Sequence, residues 1–129
     1  MSRQERLNKV NDLVKTIADN GRGFFRHKDR YAYMEMDDRK RLWWVDECKG
    51  SKIYLHYRYW GARKFSNGGT LHNLVDAFKN FVMTGDLINR HHFYWPSFYS
   101  QGDAWGYGQD MKLVRDAAQE LQMVREEPV

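Results

Sequence analysis

The chain has 129 residues, of which 42% are hydrophobic and 29% are charged, and it carries a formal net charge of +4. These proportions are typical of a globular domain and exclude a collagen, a low-complexity tail and a coiled coil. No apolar run approaches the roughly 18 residues that cross a bilayer, and the charged first ten residues lack the apolar stretch of a signal peptide, so we expect a cytoplasmic protein with no membrane partner.

The first predicted element is an amphipathic helix over residues 3–20. Its apolar residues recur at the spacing that places them on one side of a helix, and they are Leu7, Val10, Val14 and Ile17. Asn20 and Gly21 follow as a C-terminal stop signal. The pattern therefore predicts a helix that buries one face.

After Phe24, apolar residues recur at every second position instead of every third or fourth, which indicates strands. Three runs of alternating residues, at 31–36, 42–47 and 53–60, are separated by short polar turns, and residues 24–28 can add a short leading strand. Short turns between consecutive strands favour antiparallel pairing. We therefore predict an antiparallel meander of three to four strands.

Two further helices are predicted, with a long loop between them. Thr70 is the expected N-cap of the second helix, which runs to Thr84 and Gly85, and the C-terminal helix covers about residues 110–125. The loop at about 86–109 has no apolar period and contains seven aromatic residues. The order α-β-β-β-α-loop-α predicts a single α+β domain over residues 1–129, with the meander packed against the helices.

Aromatic residues are more numerous than a core of this size requires. The chain contains 7 Phe, 8 Tyr and 5 Trp, and each buried ring needs roughly 150–250 Å² of cover. Some rings should therefore lie at the surface, either folded back on their own domain or in contact with a partner protein. The partner-binding candidates lie in the long loop and are Tyr94, Trp95, Phe98, Tyr99, Trp105 and Tyr107.

Basic residues and tyrosines suggest a second candidate surface. Residues 20–65 hold twelve Lys or Arg against six Asp or Glu. Side chains alternate between the two faces of a sheet, so Tyr31 and Tyr33 lie on the face opposite Met34. In the third strand, Tyr54 and His56 lie on the face opposite Ile53, Leu55 and Tyr57. Either Trp43 or Trp44 lies on the same face as Tyr31, Tyr33 and Tyr54. Such a face can stack the bases of DNA or RNA, unless other segments cover it as a second small core. The nucleic-acid-binding candidates are Arg26, Lys28, Arg30, Tyr31, Tyr33, Tyr54, Arg58, Arg63 and Lys64.

The residues give no sign of a metal, a cofactor or a catalytic nucleophile. Cys48 is the single cysteine, and the adjacent pair His91 and His92 would point to opposite sides of an extended segment. His27, His56 or His72 could serve as an acid or base, but no serine or cysteine stands in a recognisable nucleophile motif. We therefore expect no cofactor, no metal site and no enzymatic activity.

Several short segments between residues 22 and 85 carry a family resemblance. They are Phe24 to His27, Trp43 to Glu47 with Gly50, Ile53 with His56 and Tyr57, and Phe65 to Leu71 leading to Thr84 and Gly85. In these segments the chain resembles a family of small uncharacterised proteins encoded by bacteriophages and prophages. The resemblance implies a viral origin and location in the host cytoplasm. It also implies the behaviour of small phage accessory proteins, which often bind and block a host or defence protein.

Three hypotheses for the function follow. The first is a non-enzymatic phage accessory protein that binds and blocks a host macromolecule, as an inhibitor in host takeover or anti-defence. The second is a nucleic-acid-binding module that uses the aromatic sheet face and the basic turns. The third is an enzyme of the nuclease or hydrolase type. Binding of DNA or RNA that weakens as salt rises would favour the second over the first.

Overall fold

A computed structural model of the chain describes residues 1–20, 25–47, 49–57, 69–89, 92–93 and 111–125. Its helices are α1 (Arg3–Asp19), α2 (Gly69–Thr84) and α3 (Met111–Glu120), and its strands are β1 (Arg26–His27), β2 (Arg30–Tyr31), β3 (Tyr33–Met36), β4 (Leu42–Val45) and β5 (Lys52–Tyr54). The strands form a two-stranded antiparallel sheet, β1-β2, and a three-stranded antiparallel sheet in the order β3-β4-β5. The predicted α+β class is therefore confirmed, while the single-domain organisation stays a prediction.

Helix α1 begins and ends close to the predicted residues. Ser2 and Glu5 form a capping box, in which the Ser2 hydroxyl accepts the Glu5 N–H at 3.1 Å and the Glu5 carboxylate accepts the Ser2 N–H at 3.4 Å. The bond that the Ser2 N–H donates to the carboxylate, followed by the effect of the Ser2 side chain, lowers the pKa of Glu5. The helix ends before Asn20, whose N–H donates to the Ile17 carbonyl.

The three-stranded sheet confirms the predicted meander but corrects two of its ends. The leading strand belongs to a separate hairpin with β2, because Lys28 adopts a left-handed φ of 56° and turns the chain within two residues. The third strand ends at Tyr54, and residues 55–57 form a turn instead of continuing the strand. Residues 58–60 of that predicted strand lie outside the described residues.

The core lies between the helices and one face of the three-stranded sheet. Helix α1 contacts β3, α2 and α3. The buried sheet residues Met34, Trp44 and Ile53 join the buried residues of the helices in one cluster. The predicted apolar face of α2 is buried as expected, through Leu74, Val75, Phe78, Phe81 and Val82. Each such side chain contributes roughly 1.5–3 kcal/mol when it leaves water.

The second and third helices differ from the prediction at their ends. Helix α2 starts at Gly69, so Thr70 lies inside the helix instead of at its N-cap. Helix α3 ends at Glu120, five residues earlier than predicted, because Gln122 adopts a left-handed φ of 59° and turns the chain back. Val124 then pairs with Ile88 in a parallel bridge. The buried Met123 and Val124 therefore belong to the core as a short returning segment.

Three basic side chains of α1 cap the ends of the other helices. Arg3 and Arg6 donate to the carbonyls of Met83 and Val82 in the last turn of α2, at 3.3 and 2.9 Å. Lys9 donates to the carbonyl of Leu121, which follows α3, at 2.8 Å. Positive groups at helix C-termini satisfy free carbonyls and oppose the negative end of the helix dipole. These positive charges therefore stabilise the fold.

Candidate functional site

The face of the three-stranded sheet that points away from the core is called here the outer face. Residues that lie directly opposite each other on antiparallel strands share a face. Glu35, Trp43 and Tyr54 form one such row, and Tyr33, Val45 and Lys52 form the next. Lys52 Nζ bonds Glu35 Oε2 at 2.7 Å and joins the two edge strands across β4; this bond raises the pKa of Lys52.

Three rings on the outer face form a continuous group, called here the aromatic cluster and consisting of Trp43, Tyr54 and Tyr57. The centroids of Trp43 and Tyr54 lie 4.8 Å apart, and those of Tyr54 and Tyr57 lie 4.7 Å apart in an edge-to-face arrangement. Aromatic pairs in tilted and edge-to-face arrangements stabilise each other. Trp43 and Tyr54 are half-buried, whereas Tyr57 is 66% exposed and offers its ring to solvent.

Two expectations about these rings are now decided. Trp44 is buried in the core and Trp43 lies on the outer face, which settles the alternative that the sequence left open. Tyr57 was expected on the same side as Ile53 and Leu55, and this is wrong. Because the chain turns after Tyr54, the Tyr57 ring comes back to Tyr54 while Leu55 stays buried.

The hairpin between β3 and β4 fixes the position of the Trp43 ring through Asp37. One carboxylate oxygen of Asp37 accepts the N–H groups of Arg39 and Arg41 at 2.9 and 3.0 Å, and the other accepts the indole Nε1–H of Trp43 at 2.8 Å. The bond from Trp43, followed by those from the backbone, lowers the pKa of Asp37. The carboxylate thus holds both the turn and the indole in place.

Two arginine side chains stand beside the aromatic cluster. Arg39, Arg41 and Asp37 line an open depression of about 470 Å³ together with the three rings. Both arginines are exposed, and the described part of the chain provides no ion pair for either guanidinium group. The depression therefore combines ring faces with two cationic groups against one carboxylate.

His56 lies next to the aromatic cluster and supports the sheet. Its Nε2 accepts the backbone N–H of Leu42 at 2.9 Å, and its ring centroid is 5.5 Å from that of Tyr54. Burial, followed by the charges of Lys79 and Arg41, lowers the pKa of His56. The neutral ring with its proton on Nδ1 is the form that can accept this bond. The imidazole thus takes the place of the backbone carbonyl that would accept the Leu42 N–H if β5 continued.

The predicted nucleic-acid-binding residues do not all meet at the depression. Tyr54 lies at its centre and Tyr33, 42% exposed, lies on the same face. Tyr31 instead donates its hydroxyl to Asp19 at 2.6 Å, which raises the pKa of Tyr31, and its ring lies 5.4 Å from the Arg26 guanidinium. Tyr31 and Arg26 both contact Asp19 and therefore connect the β1-β2 hairpin to the end of α1.

The remaining predicted residues lie elsewhere or outside the described residues. Lys28 is exposed in the β1-β2 turn. The Arg30 side chain lies against the left-handed Gly50 so closely that a Cβ there would meet its guanidinium nitrogen at 2.6 Å. The predicted residues that fall outside the described part are Arg58, Arg63, Lys64, Tyr94, Trp95, Phe98, Tyr99, Trp105 and Tyr107.

Arg39 and Arg41 are functional candidates that the sequence did not single out for binding. They belong to a basic cluster at the hairpin, but on the sequence alone the neighbouring Asp37 and Asp38 weaken the case for phosphate binding there. The structure shows that Asp37 instead accepts backbone N–H groups in a tight turn. An aspartate that starts a hairpin turn usually accepts backbone N–H groups two residues later. This pattern could have indicated from the sequence that Asp37 bonds the turn instead of neutralising the arginines.

A second depression of about 380 Å³ lies between α2 and the segment that follows it. It is polar, and its lining includes Asn73, Asp76, Asn80, Asp86 and His92. Within residues 1–20, 25–47, 49–57, 69–89, 92–93 and 111–125, no three His, Cys, Asp or Glu side chains are grouped as metal ligands. In the same residues, no helix combines the length and apolar composition that a membrane span requires.

Comparison with known proteins identifies a prophage relationship. The chain matches the YoqU family over residues 1–127. It is 39% identical over 84 residues to the SPbeta prophage-derived uncharacterized protein YoqU of Bacillus subtilis strain 168; the alignment covers 63% of this chain and 60% of that protein. The chain therefore spans about three fifths of the length of the curated relative that it matches. No solved structure matches the chain. The resemblance to prophage proteins is confirmed.

Proposed function

The chain belongs to the YoqU family, and from this membership we propose that it is a phage accessory protein that binds and blocks a host macromolecule. The action is non-enzymatic: the bound surface of the host molecule is no longer accessible to its normal partners. Cytoplasmic location in the host and a role in host takeover or anti-defence are parts of the same proposal.

The observation that supports this proposal is the aromatic cluster beside Arg39 and Arg41. Trp, Tyr and Arg are the residue types that contribute most to binding at protein surfaces. Tyr57 is 66% exposed, and the ring therefore has much apolar area that a partner can remove from water. Trp43 and Tyr54 are already held by neighbours, so little side-chain entropy is lost when they are covered.

The titratable groups beside the cluster favour binding over catalysis. Both carboxylate oxygens of Asp37 accept hydrogen bonds from the hairpin and from Trp43. The Nε2 of His56 accepts the Leu42 N–H. A general acid or base must exchange a proton with a substrate, and these groups would lose a structural hydrogen bond by doing so.

The experiment is an affinity purification from a bacterial host, followed by reconstitution with the purified partner. We expect one dominant class of partner, either protein or nucleic acid. The Tyr57→Phe variant should retain the affinity for it and the Tyr57→Ala variant should lower that affinity about tenfold, because the ring supplies the contact. Leu113→Ala is the matched control, since Leu113 is 49% exposed on α3. Equal loss in the control would show a general effect on the fold and would contradict the proposal.

A second variant tests the long loop as the binding surface. Phe98→Ala together with Trp105→Ala removes two predicted partner-binding rings from the loop. If this double variant loses the partner while Tyr57→Ala keeps it, the aromatic cluster is not the binding surface and the loop is. If only Tyr57→Ala loses the partner, the outer face is supported.

A further inference from the structure

The chemistry of the depression limits what can occupy it. A ligand that complements the rings has flat groups that can stack on them. A ligand that complements Arg39 and Arg41 has anionic groups a short distance from those flat groups. Successive nucleotides provide both, because every base has a flat π face and every link carries a phosphate. An acidic peptide supplies the charge but has few flat groups at a regular spacing.

The arrangement fits a single strand better than a duplex. In a duplex the base faces are stacked on each other and cannot reach a protein ring, whereas unpaired bases can leave the stack and lie against Tyr or Trp. The Trp43 indole donates its N–H to the Asp37 carboxylate and is held by this bond, and the neighbouring ring of Tyr54 contacts both Trp43 and Tyr57. These rings are therefore ordered before a base arrives, which lowers the entropy lost on binding.

The distribution of charge also supports an anionic strand at this face. On α1, Arg3 and Arg6 donate to carbonyls of α2 and Lys9 donates to the carbonyl of Leu121 after α3, so these cations are engaged in the fold. Arg39 and Arg41 are exposed and are not ion-paired within the described part of the chain. Charge complementarity therefore places the phosphates beside this hairpin.

From these observations we infer that the aromatic cluster binds single-stranded nucleic acid, with bases stacked on Tyr57, Tyr54 and Trp43 and phosphates bound by Arg39 and Arg41. This inference rests on the proposed function and names the class of its partner. The depression of about 470 Å³ holds only a short stretch of the strand. Stacking on the rings tolerates any base, and the two phosphate contacts make binding weaken as the salt concentration rises.

The test measures fluorescence anisotropy of labelled oligothymidylate and oligouridylate of about 12 nucleotides with the full chain, from low to high salt. Arg39→Gln with Arg41→Gln should reduce the slope of log affinity against log salt by about 1.4, because each phosphate contact on a single strand contributes about 0.7. Tyr57→Ala should weaken binding about tenfold, and Tyr57→Phe should restore it, because stacking needs the ring.

Matched controls separate this site from general attraction between charges. Lys15→Gln with Lys49→Gln lowers the net charge by the same two units at exposed positions of α1 and of the turn between β4 and β5. This double variant should bind almost as the wild type does. An equal loss in it, unchanged binding by Tyr57→Ala, equally tight binding of a duplex of the same length, or no binding at low salt would each overturn the inference.

The two proposals fail in different ways. If no oligonucleotide binds but a host protein is retained through Tyr57, the partner class is wrong and the proposed function stands. If Tyr57→Ala changes neither the binding of the oligonucleotide nor that of the purified partner, the aromatic cluster is not the binding surface and the inference is contradicted; the proposed function is then decided by the loop variant. Far-ultraviolet circular dichroism of each variant confirms that the fold is intact; Tyr57 is 66% exposed, so its replacement should leave the fold unchanged.

Discussion

Single polar residues hold the aromatic cluster in place. Asp37 accepts two backbone N–H groups and the Trp43 indole, and His56 accepts the Leu42 N–H where β5 has already ended. Each bond requires one ionisation state, the carboxylate of Asp37 and the neutral imidazole of His56. The structure of the site is therefore coupled to pH through two groups that we do not expect to act on a ligand directly.

His56 should make the stability of the protein fall in mild acid. Its folded pKa is lowered below the usual 6.5, mainly by burial. The unfolded chain therefore binds more protons just below pH 6.5, and stability decreases as the pH falls from 6.5 towards the folded pKa. His56→Gln should flatten this part of the curve when the free energy of unfolding is measured by urea denaturation between pH 7.5 and 5.

The control for this prediction is His27→Gln, because His27 is exposed in β1. It removes a histidine without touching the Leu42 N–H. If the wild type and His56→Gln lose stability in parallel over the same pH range, the lowered pKa of His56 is not the cause.

At the scale of elements, α1 connects the other parts of the fold through polar side chains as well as apolar ones. The Asn11 amide accepts the Met34 N–H at 2.7 Å and donates to the Met34 carbonyl at 2.9 Å. It thus pairs with β3 at an edge of the three-stranded sheet. Exposed edges invite pairing with other chains, so this amide also protects the sheet from association.

Asn11→Ala should reduce the free energy of unfolding by about 2 kcal/mol, because a partly buried backbone N–H and carbonyl lose their partner. Asn8→Ala is the matched control, since Asn8 is exposed on the same helix. Urea denaturation measures both changes. Similar values for the two variants would show that the loss comes from helix propensity and not from the sheet edge.

The element order could be predicted because it depends on local periodicity, whereas several ends could not. Leu7, Val10, Val14 and Ile17 were predicted to form one helical face, and all are buried. The early ends of β5 and α3 were missed. They depend on the His56 ring and on the left-handed Gln122, whose effects appear only when distant segments meet.

The candidate site was less predictable than the fold. Alternation placed Tyr54 on the outer face but gave Tyr57 the wrong side, because alternation holds only while the strand continues. The two aspartates that stand beside Arg39 and Arg41 in the sequence weaken the case for phosphate binding at the hairpin. Whether Asp37 neutralises these arginines depends on where its carboxylate points, and a list of charges does not contain that direction.

At the scale of the whole molecule, the segment after α3 completes the core. Ile88 donates its N–H to the Met123 carbonyl at 2.8 Å, and Arg125 donates its N–H to the Ile88 carbonyl at 3.0 Å. Met123 and Val124 are buried in the same cluster as α1 and the sheet. The returning segment and the N-terminal helix are therefore expected to unfold together.

Met123→Ala should lower the free energy of unfolding by about 2–5 kcal/mol, because it removes a fully buried side chain and leaves a cavity. Leu113→Ala, on an exposed face of α3, should change it by less than about 0.5 kcal/mol. Thermal or urea denaturation measures both. A small effect of Met123→Ala would mean that the returning segment opens independently of the core.

The bridge between Ile88 and Val124 has a consequence for how the sequence between them can change. Because Ile88 and Val124 lie side by side, the chain between them starts and ends at the same place, and the entropic cost of closing a loop rises only with the logarithm of its length. Doubling a flexible loop costs about 0.6 kcal/mol. Loop-closure entropy alone therefore sets only a weak limit on the length of chain between these two residues, whereas the buried Phe93 and helix α3 must keep their places in the core.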